Sequence, residues 1–184
     1  MLNIVHPGTT HSDRTQHRLQ DLARAWSGPT PPGFERQGAS QRGWVASLVI
    51  HRAGVYRAVG ADSLQQAMRI AARAIRTYRR PVGLLVWEGR HAWVMTGYVA
   101  TGDPLLDKGF EVTDAYILDP LYPHGSDAWG PSPRPGATIS VEQVGRQFVK
   151  RRSSGPWSHL PGAAWLRNRW VLVVPAGPIR PGIE

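Results

Sequence analysis

The chain has 184 residues and a basic composition, with 22 lysines and arginines, 13 acidic residues and a formal net charge of +9. This length suits one domain with a substantial core, and the absence of cysteine excludes disulfides, thiolate metal sites and a cysteine nucleophile within these residues. No run reaches the roughly 18 apolar residues that span a bilayer, and the first residues lack the basic and apolar regions of an export signal.

Three helices are predicted in the first part of the chain. Over residues 11–26 the apolar residues recur at i, i+3, i+4 and i+7, which indicates an amphipathic helix. A second helix is predicted over "SQRGWVASLVIH", although Gly43 weakens it. The third, over residues 64–78, is the clearest, because its apolar positions share one face and Ser63 with Gln66 forms a capping box.

After Pro81 the hydrophobic pattern changes from helical to extended. Three apolar runs follow one another, "PVGLLVW", "HAWVMTGYVAT" and "FEVTDAYILDP", with "EGR" and the turn-rich "GDPLLDKG" between them. Connections this short are too small for parallel crossovers. The pattern therefore predicts an antiparallel meander of three strands.

The remainder is predicted to contain a loop, a short helix, a strand and a tail. "LYPHGSDAWGPSPRPGAT" is rich in proline and glycine and predicts an irregular surface covering. Ser140 with Gln143 forms another capping box and opens a short helix through Phe148, and "RWVLVVP" predicts a strand. The prediction is one α+β domain over residues 1–175, with N-terminal helices packed on an antiparallel sheet, and a flexible tail over residues 176–184.

His91 and Asp119 are the first candidate functional pair. If the second and third strands of the meander form a hairpin centred on Leu105, these two residues face each other at one sheet edge, within a bulge or a one-residue slip. A carboxylate beside an imidazole fixes its tautomer and stabilises the imidazolium, which suits a general base. The simpler interpretation is that Asp119 opens an Asp-Pro turn and His91 only follows a tight hairpin.

The stretch "RPVGLLVWEGRHAWVMTGY", followed by "AYILDPLYP", resembles the second half of the papain-like C39-like peptidases. In that family an apolar strand leads through a glycine turn to a histidine strand and then to a strand ending in Asp-Pro. The similarity covers about residues 80–123 and extends back to Thr10 through "TQHRLQDLARAW" and "GASQRGW". It implies a papain-like fold and peptide-bond hydrolysis by cysteine, histidine and aspartate, with His91 as general base and Asp119 as its orienting partner.

The family's cysteine lies at the N-terminus of a buried helix, where the helix end lowers the thiol pKa, and this sequence has no cysteine. Two explanations stay open. Either the cysteine helix precedes Met1 and "MLNIV" is its last turn, so that the domain is truncated, or the chain is a pseudopeptidase that has lost the nucleophile. Truncation is favoured, because a whole element is missing. Either way, these residues should not hydrolyse peptides.

Other residues are weaker candidates for chemistry. Ser12, Ser40 and Ser63 are better explained as helix caps than as nucleophiles. Trp93 falls on the same strand face as His91 and is expected to form a wall of the substrate groove.

The expected ligand is a peptide or protein, bound as a substrate or, in the second interpretation, by a non-catalytic binding domain. No cofactor is expected, and His6, His11 and His17 are spaced too irregularly for a metal site. The arginines form no long tract, which disfavours nucleic acid. The oligomeric state is open. The location is cytoplasmic by default, or secreted or in the cell envelope if a missing N-terminal segment carries a signal.

Overall fold

The computed structural model describes residues 1–5, 13–152, 155–159 and 164–179. Within these ranges the chain forms five α-helices and six β-strands. The helices are α1 (Leu2–Val5), α2 (Asp13–Ala25), α3 (Gln41–Ile50), α4 (Leu64–Tyr78) and α5 (Val141–Gln147). The strands are β1 (Tyr56–Ala61), β2 (Val82–Val86), β3 (His91–Ala100), β4 (Val112–Leu118), β5 (Thr138–Ser140) and β6 (Trp170–Pro175).

The six strands form one antiparallel sheet in the order β1-β6-β2-β3-β4-β5. The α+β class and the predicted meander of β2, β3 and β4 are confirmed. The expected order of helices first and sheet afterwards is wrong, because β1 lies between α3 and α4. Its sequence "YRAVGA" is partly exposed at most positions and contains a glycine, so it carries no clean strand alternation.

Helices cover both faces of the sheet, which accounts for the long buried runs in its central strands. One face packs against α4 and α5 through a large apolar cluster that includes Met68, Leu84, Met95, Ile117, Phe148 and Leu172. The other face packs against α1 and α3 through a smaller cluster that includes Leu48, Tyr56, Leu85, Val171 and Val173. β6 contributes to both clusters and lies between β1 and β2, second from one edge of the sheet.

Two glycines allow α3 to approach its neighbours closely. A Cβ at Gly43 would lie 1.9 Å from the carbonyl oxygen of Ala23, so α2 and α3 meet where this residue has no side chain. A Cβ at Gly83 would lie 2.1 Å from the Trp44 ring, which therefore rests directly on β2. Gly43 thus has a packing reason that outweighs its low helix propensity, and the start of α3 is held against the sheet.

The helix starts follow the sequence closely. Ser40, Ser63 and Ser140 each accept a hydrogen bond from a backbone N–H in the first turn of their helix. The capping box at Ser140 is complete. At Ser63 it is only half formed, because the Gln66 side chain accepts from the N–H of Asp62 instead.

Residues beyond β6 make contacts with the body of the fold. The N–H of Ala176 donates to the carbonyl of Val55 at 2.9 Å, and the carbonyl of Gly177 accepts from the Arg80 guanidinium. The predicted flexible tail therefore begins with two residues that are tied to the segments just before β1 and β2. None of the helices in the described ranges combines the length and apolarity needed to cross a membrane.

Candidate functional site

His91 and Asp119 meet at the edge where β3 begins and β4 has just ended. Nε2 of His91 lies 2.7 Å from Oδ1 of Asp119. The hairpin pairs Met95 with Ile117 and Val94 with Leu118, so its centre is Leu106, one residue later than predicted. If this register is continued past the end of β4, Asp119 lies opposite Trp93. His91 is two residues before Trp93 on the same strand face, and its side chain reaches the Asp119 carboxylate diagonally. The predicted contact is therefore present in a slipped register.

Asp119 is held by several donors. Besides His91, the indole Nε1 of Trp93 donates to Oδ2 at 2.8 Å, and the N–H of Leu121 donates to Oδ1 at 2.9 Å. The Ser132 hydroxyl also lies close enough to favour the charged form, although its oxygen makes no regular hydrogen bond. With a side chain that is 0% exposed, the carboxylate has its orientation fixed from several sides.

The electrostatics of Asp119 balance burial against these donors. Burial raises the pKa of Asp119, but the Leu121 N–H, the Ser132 hydroxyl, His91 and Trp93 together outweigh it and leave the pKa below its ordinary value. Asp119 is therefore ionised at neutral pH. A carboxylate at Nε2 favours the tautomer that carries its proton there, which leaves Nδ1 with the lone pair.

The His91 ring is also fixed from above by an indole. The Trp87 ring stacks on the imidazole with centroids 4.2 Å apart and planes 26° from parallel. Nε1 of Trp87 in turn donates to Oε1 of Gln147 at 2.8 Å, and the Gln147 amide donates to the carbonyl of Pro131. A chain of contacts from α5 and the loop before it thus holds the imidazole, whose side chain is 13% exposed.

The turn between β2 and β3 has an unusual backbone. Trp87, Glu88 and Gly89 have φ values of 55°, 59° and 94°, a left-handed conformation that costs non-glycine residues about 1 kcal/mol each. Contacts elsewhere offset this cost: the Trp87 ring packs as described above, and Glu88 pairs with Arg152 at 3.3 Å. The turn places Trp87 over His91.

Trp93 does not line the groove that the sequence suggested. It is 1% exposed and belongs to the cluster under α4. The prediction placed Trp93 and His91 on one strand face correctly, but this face is covered by helices and by the loop after Asp119. Trp93 therefore acts on the pair from inside the core, as a hydrogen-bond donor to the carboxylate.

A cleft opens beside His91. A cavity of about 360 Å³ is lined by His91 and Ala92 from β3, by Leu85, and by the residues that start α3, namely Gly38, Ala39, Ser40, Gln41 and Trp44. The N-terminus of α3, the positive end of its helix dipole, therefore lies at the same cavity as residue His91. The imidazole itself lies on the strand face shared with Val86 and Trp93, where it contacts Trp87 and Asp119. Ser40 is not placed as a nucleophile, since its hydroxyl donates to the carbonyl of Ser27 and accepts from the N–H of Gly43.

The remaining candidates add no further centre. Across the part of the chain that the structure describes, no three histidine, aspartate or glutamate side chains are grouped to hold a metal ion. His17 lies on α2, whereas Ser12, His6 and His11 lie outside the described residues. Ser63 is a cap, as predicted.

Sequence reasoning missed Trp87 and Gln147. Their contacts join positions sixty residues apart and depend on the left-handed turn at Trp87, which nothing in "VWEGRH" requires of a tryptophan. The Leu121 N–H had a usable signal, because an aspartate before proline commonly accepts from the backbone two residues on.

Comparison with protein-family models, with curated proteins and with solved structures finds no match to this chain.

Proposed function

We propose that this chain carries the histidine–aspartate part of a papain-like cysteine-peptidase site and binds peptide in the adjoining cleft. The observation that supports this most directly is the 2.7 Å contact between Nε2 of His91 and a buried, ionised Asp119. A base needs a lone pair at its other nitrogen, a fixed ring plane and a partner for the imidazolium. Trp87, Asp119 and the described tautomer supply all three.

In the proposed chemistry His91 accepts a proton from a thiol at Nδ1, and the thiolate attacks a peptide carbonyl carbon. His91 then passes the proton to the leaving amine as the C–N bond breaks, while Asp119 balances the charge of the imidazolium. Water then hydrolyses the resulting thioester, which releases the carboxylic acid and restores the thiol. The 184 residues contain no thiol. Either a cysteine outside these residues supplies the thiol, or the domain binds peptide without cutting it.

The start of α3 offers a place to test whether His91 activates a nearby thiol. A thiol at a helix N-terminus has a lowered pKa, because the helix dipole and a neighbouring imidazolium stabilise the thiolate. The first residue of α3, Gln41, lines the cavity that also contains His91. A cysteine introduced there therefore tests whether His91 is able to activate a thiol across the cleft.

The test compares Gln41→Cys with Gln20→Cys, which places a thiol on the exposed surface of α2. Alkylation by iodoacetamide between pH 5 and 9 measures the thiolate fraction. We expect Cys at position 41 to react about tenfold faster than the control at pH 6, and His91→Ala in the same background to remove most of this advantage. Equal rates in the two single variants, on folded protein, contradict the proposal.

The unmodified chain supplies the complementary measurement. It should hydrolyse no fluorogenic peptide above the level of its His91→Ala variant. Turnover that His91→Ala abolishes would show that a nucleophile lies within these residues, and would overturn the need for an external thiol.

A further inference from the structure

The cleft beside His91 continues into a second, larger cavity. This cavity has a volume of about 480 Å³ and lies between the start of α3, β1 and the segments that contain Trp157 and Trp165. Arg36, Ser40, Gln41 and Arg151 line both cavities. We call the two together the arginine cleft, because the charged side chains described along its walls are Arg36, Arg42, Arg57, Arg90 and Arg151.

The charge of this cleft is one-sided. No aspartate or glutamate is among the described residues that line either cavity. Arg90 pairs with Glu88 at 3.8 Å, outside the walls. Within the described part of the chain, Arg42 and Arg57 have no carboxylate within 4 Å. Arg42 and Arg57 therefore face a concave space without a carboxylate partner among the described residues.

The half-buried arginines of the cleft have lowered pKa values. Burial lowers the pKa of Arg36, and its Nε is buried without a hydrogen-bond partner. Burial also lowers the pKa of Arg151, and repulsion from Arg167 lowers it further. Partly buried guanidinium groups favour an anion in the cavity, because it would offset the cost of burying their charge.

Aromatic rings give the same cavity an apolar surface. The Arg36 guanidinium lies 4.7 Å from the centroid of the Trp157 ring, and Phe34 meets that ring edge-on. Trp165 is half exposed and also lines the cavity. The Trp157 ring thus supplies a cation–π contact to a guanidinium, the type of group that binds carboxylates strongly. The cavity is also within the usual size range of small-ligand sites.

From these features we infer that the arginine cleft is a subsite for acidic side chains of a peptide that extends past His91. The inference rests on the proposed function, because His91 marks where the peptide backbone would lie. Arg151 connects the two parts: it lines both cavities, and its side chain packs against Gly89 in the turn before His91. A peptide bound beside His91, with an aspartate or glutamate a few residues along the chain, would fill both cavities.

Peptide suits this cleft better than a nucleic acid. Phosphodiester backbones are bound by basic side chains spread along an exposed stripe, whereas here the arginines converge on two adjoining cavities, one of which is also lined by His91. The cleft therefore selects carboxylates close to a backbone amide rather than a long, evenly charged strand.

The experiment measures the affinity of two fluorescein-labelled decapeptides by anisotropy. One contains four glutamates, and the other has glutamine at the same positions. The double variant Arg42→Gln/Arg57→Gln removes two charges from the cleft, and Arg14→Gln/Arg18→Gln removes two from the exposed side of α2 as a matched control. Circular dichroism checks that each variant is folded.

The glutamate peptide should bind at least about tenfold more tightly than the glutamine peptide at low salt. The cleft variant should lose most of that preference, whereas the α2 variant should keep it. Equal affinity for the two peptides, or equal losses in the two double variants, overturns the inference. Tighter binding of a single-stranded oligonucleotide that displaces the glutamate peptide overturns it in favour of a nucleic-acid site.

The two proposals fail in different ways. His91→Ala leaves the described wall of the larger cavity unchanged and should preserve the preference for glutamate. If the thiol at position 41 is activated by His91 but the two peptides bind equally, only the acidic subsite is wrong. If the preference is present without activation of the thiol, the dyad is wrong and the cleft is an anion site of another kind.

Discussion

The buried carboxylate of Asp119 controls the charge of the candidate site. Three hydrogen bonds, from His91, Trp93 and the Leu121 N–H, converge on its two oxygens. Hydrogen bonds to a charged group are worth about 1.5–3 kcal/mol each, so the network outweighs the cost of burying the charge. This side chain therefore couples the protonation state of the site to the stability of the fold.

Asp119→Asn should destabilise the protein in a pH-dependent way. Folding lowers the pKa of Asp119, so its contribution to stability is full above the unfolded-state value near 3.9 and is lost as the pH falls through the folded-state value. We expect a loss of about 2 kcal/mol at pH 7, with a gap between wild type and variant that narrows below about pH 4. Urea unfolding between pH 2.5 and 7 measures this gap.

Asp103→Asn provides the control for this experiment. The Leu105 N–H and Arg76 lower the pKa of Asp103, but this carboxylate lies at the surface and has no imidazole partner. Its replacement should cost less than that of Asp119 at pH 7. A gap for Asp119→Asn that stays constant across the pH range would contradict the account.

The contact between His91 and Asp119 was predictable from local sequence, whereas the packing around these two residues was not. Strand pattern and turn residues were enough to bring His91 and Asp119 together, because two residues of slip along one strand face still leave side chains within reach. Trp93 was placed on the correct face, but its burial depends on helices far away in the sequence. The stacking of Trp87 depends on a strained turn, which a residue-level pattern does not reveal.

At the scale of elements, α4 ends at a residue whose backbone conformation is unfavourable for its side chain. Its C-cap, Arg79, has φ 51° and ψ 38°, a left-handed position usually occupied by glycine. Arg79→Gly should therefore stabilise the protein by about 1 kcal/mol. Thr77→Gly, two residues earlier within the helix, should destabilise it by a few tenths of a kcal/mol. Urea midpoints that shift in the same direction for both variants would contradict the assignment of strain to Arg79.

Elements with their own boundary signals were predicted well. The caps and apolar stripes of α4 and α5 are formed by residues close together in the sequence. The observed helices begin directly after Ser63 and Ser140. β1 has no such signal, because its strand is defined by the partner that it pairs with, β6, more than a hundred residues away. Gly43 shows the same limit, since the contact with Ala23 that explains it belongs to another helix.

At the scale of the molecule, β6 joins the cores on the two faces. Val173 belongs to the cluster under α3, whereas Leu172 belongs to the cluster under α4. The sequence predicted the strand but not its place between β1 and β2, because pairing order depends on long-range packing rather than on the strand's own residues.

Val173→Ala tests whether the two faces unfold together. The side chain is fully buried, so we expect a loss of about 2 kcal/mol. Hydrogen exchange should show the slowest amides of α4, on the opposite face, losing the same protection as those of α3. Val99→Ala, at a position that is 42% exposed, should change the free energy of unfolding and the exchange protection of the two helices by less than about 0.5 kcal/mol. Loss of protection confined to α3 would show that the faces unfold separately.

The place of β6 in the sheet also has a consequence for biosynthesis. A ribosome has made the other five strands before it reaches Trp170, so the nascent chain holds β1 and β2 with the hydrogen-bonding edges that β6 will later occupy. Unpaired strand edges recruit other chains. The newly made protein is therefore most exposed to aggregation before β6 pairs with β1 and β2, and a chaperone that shields these two edges would matter most at that stage.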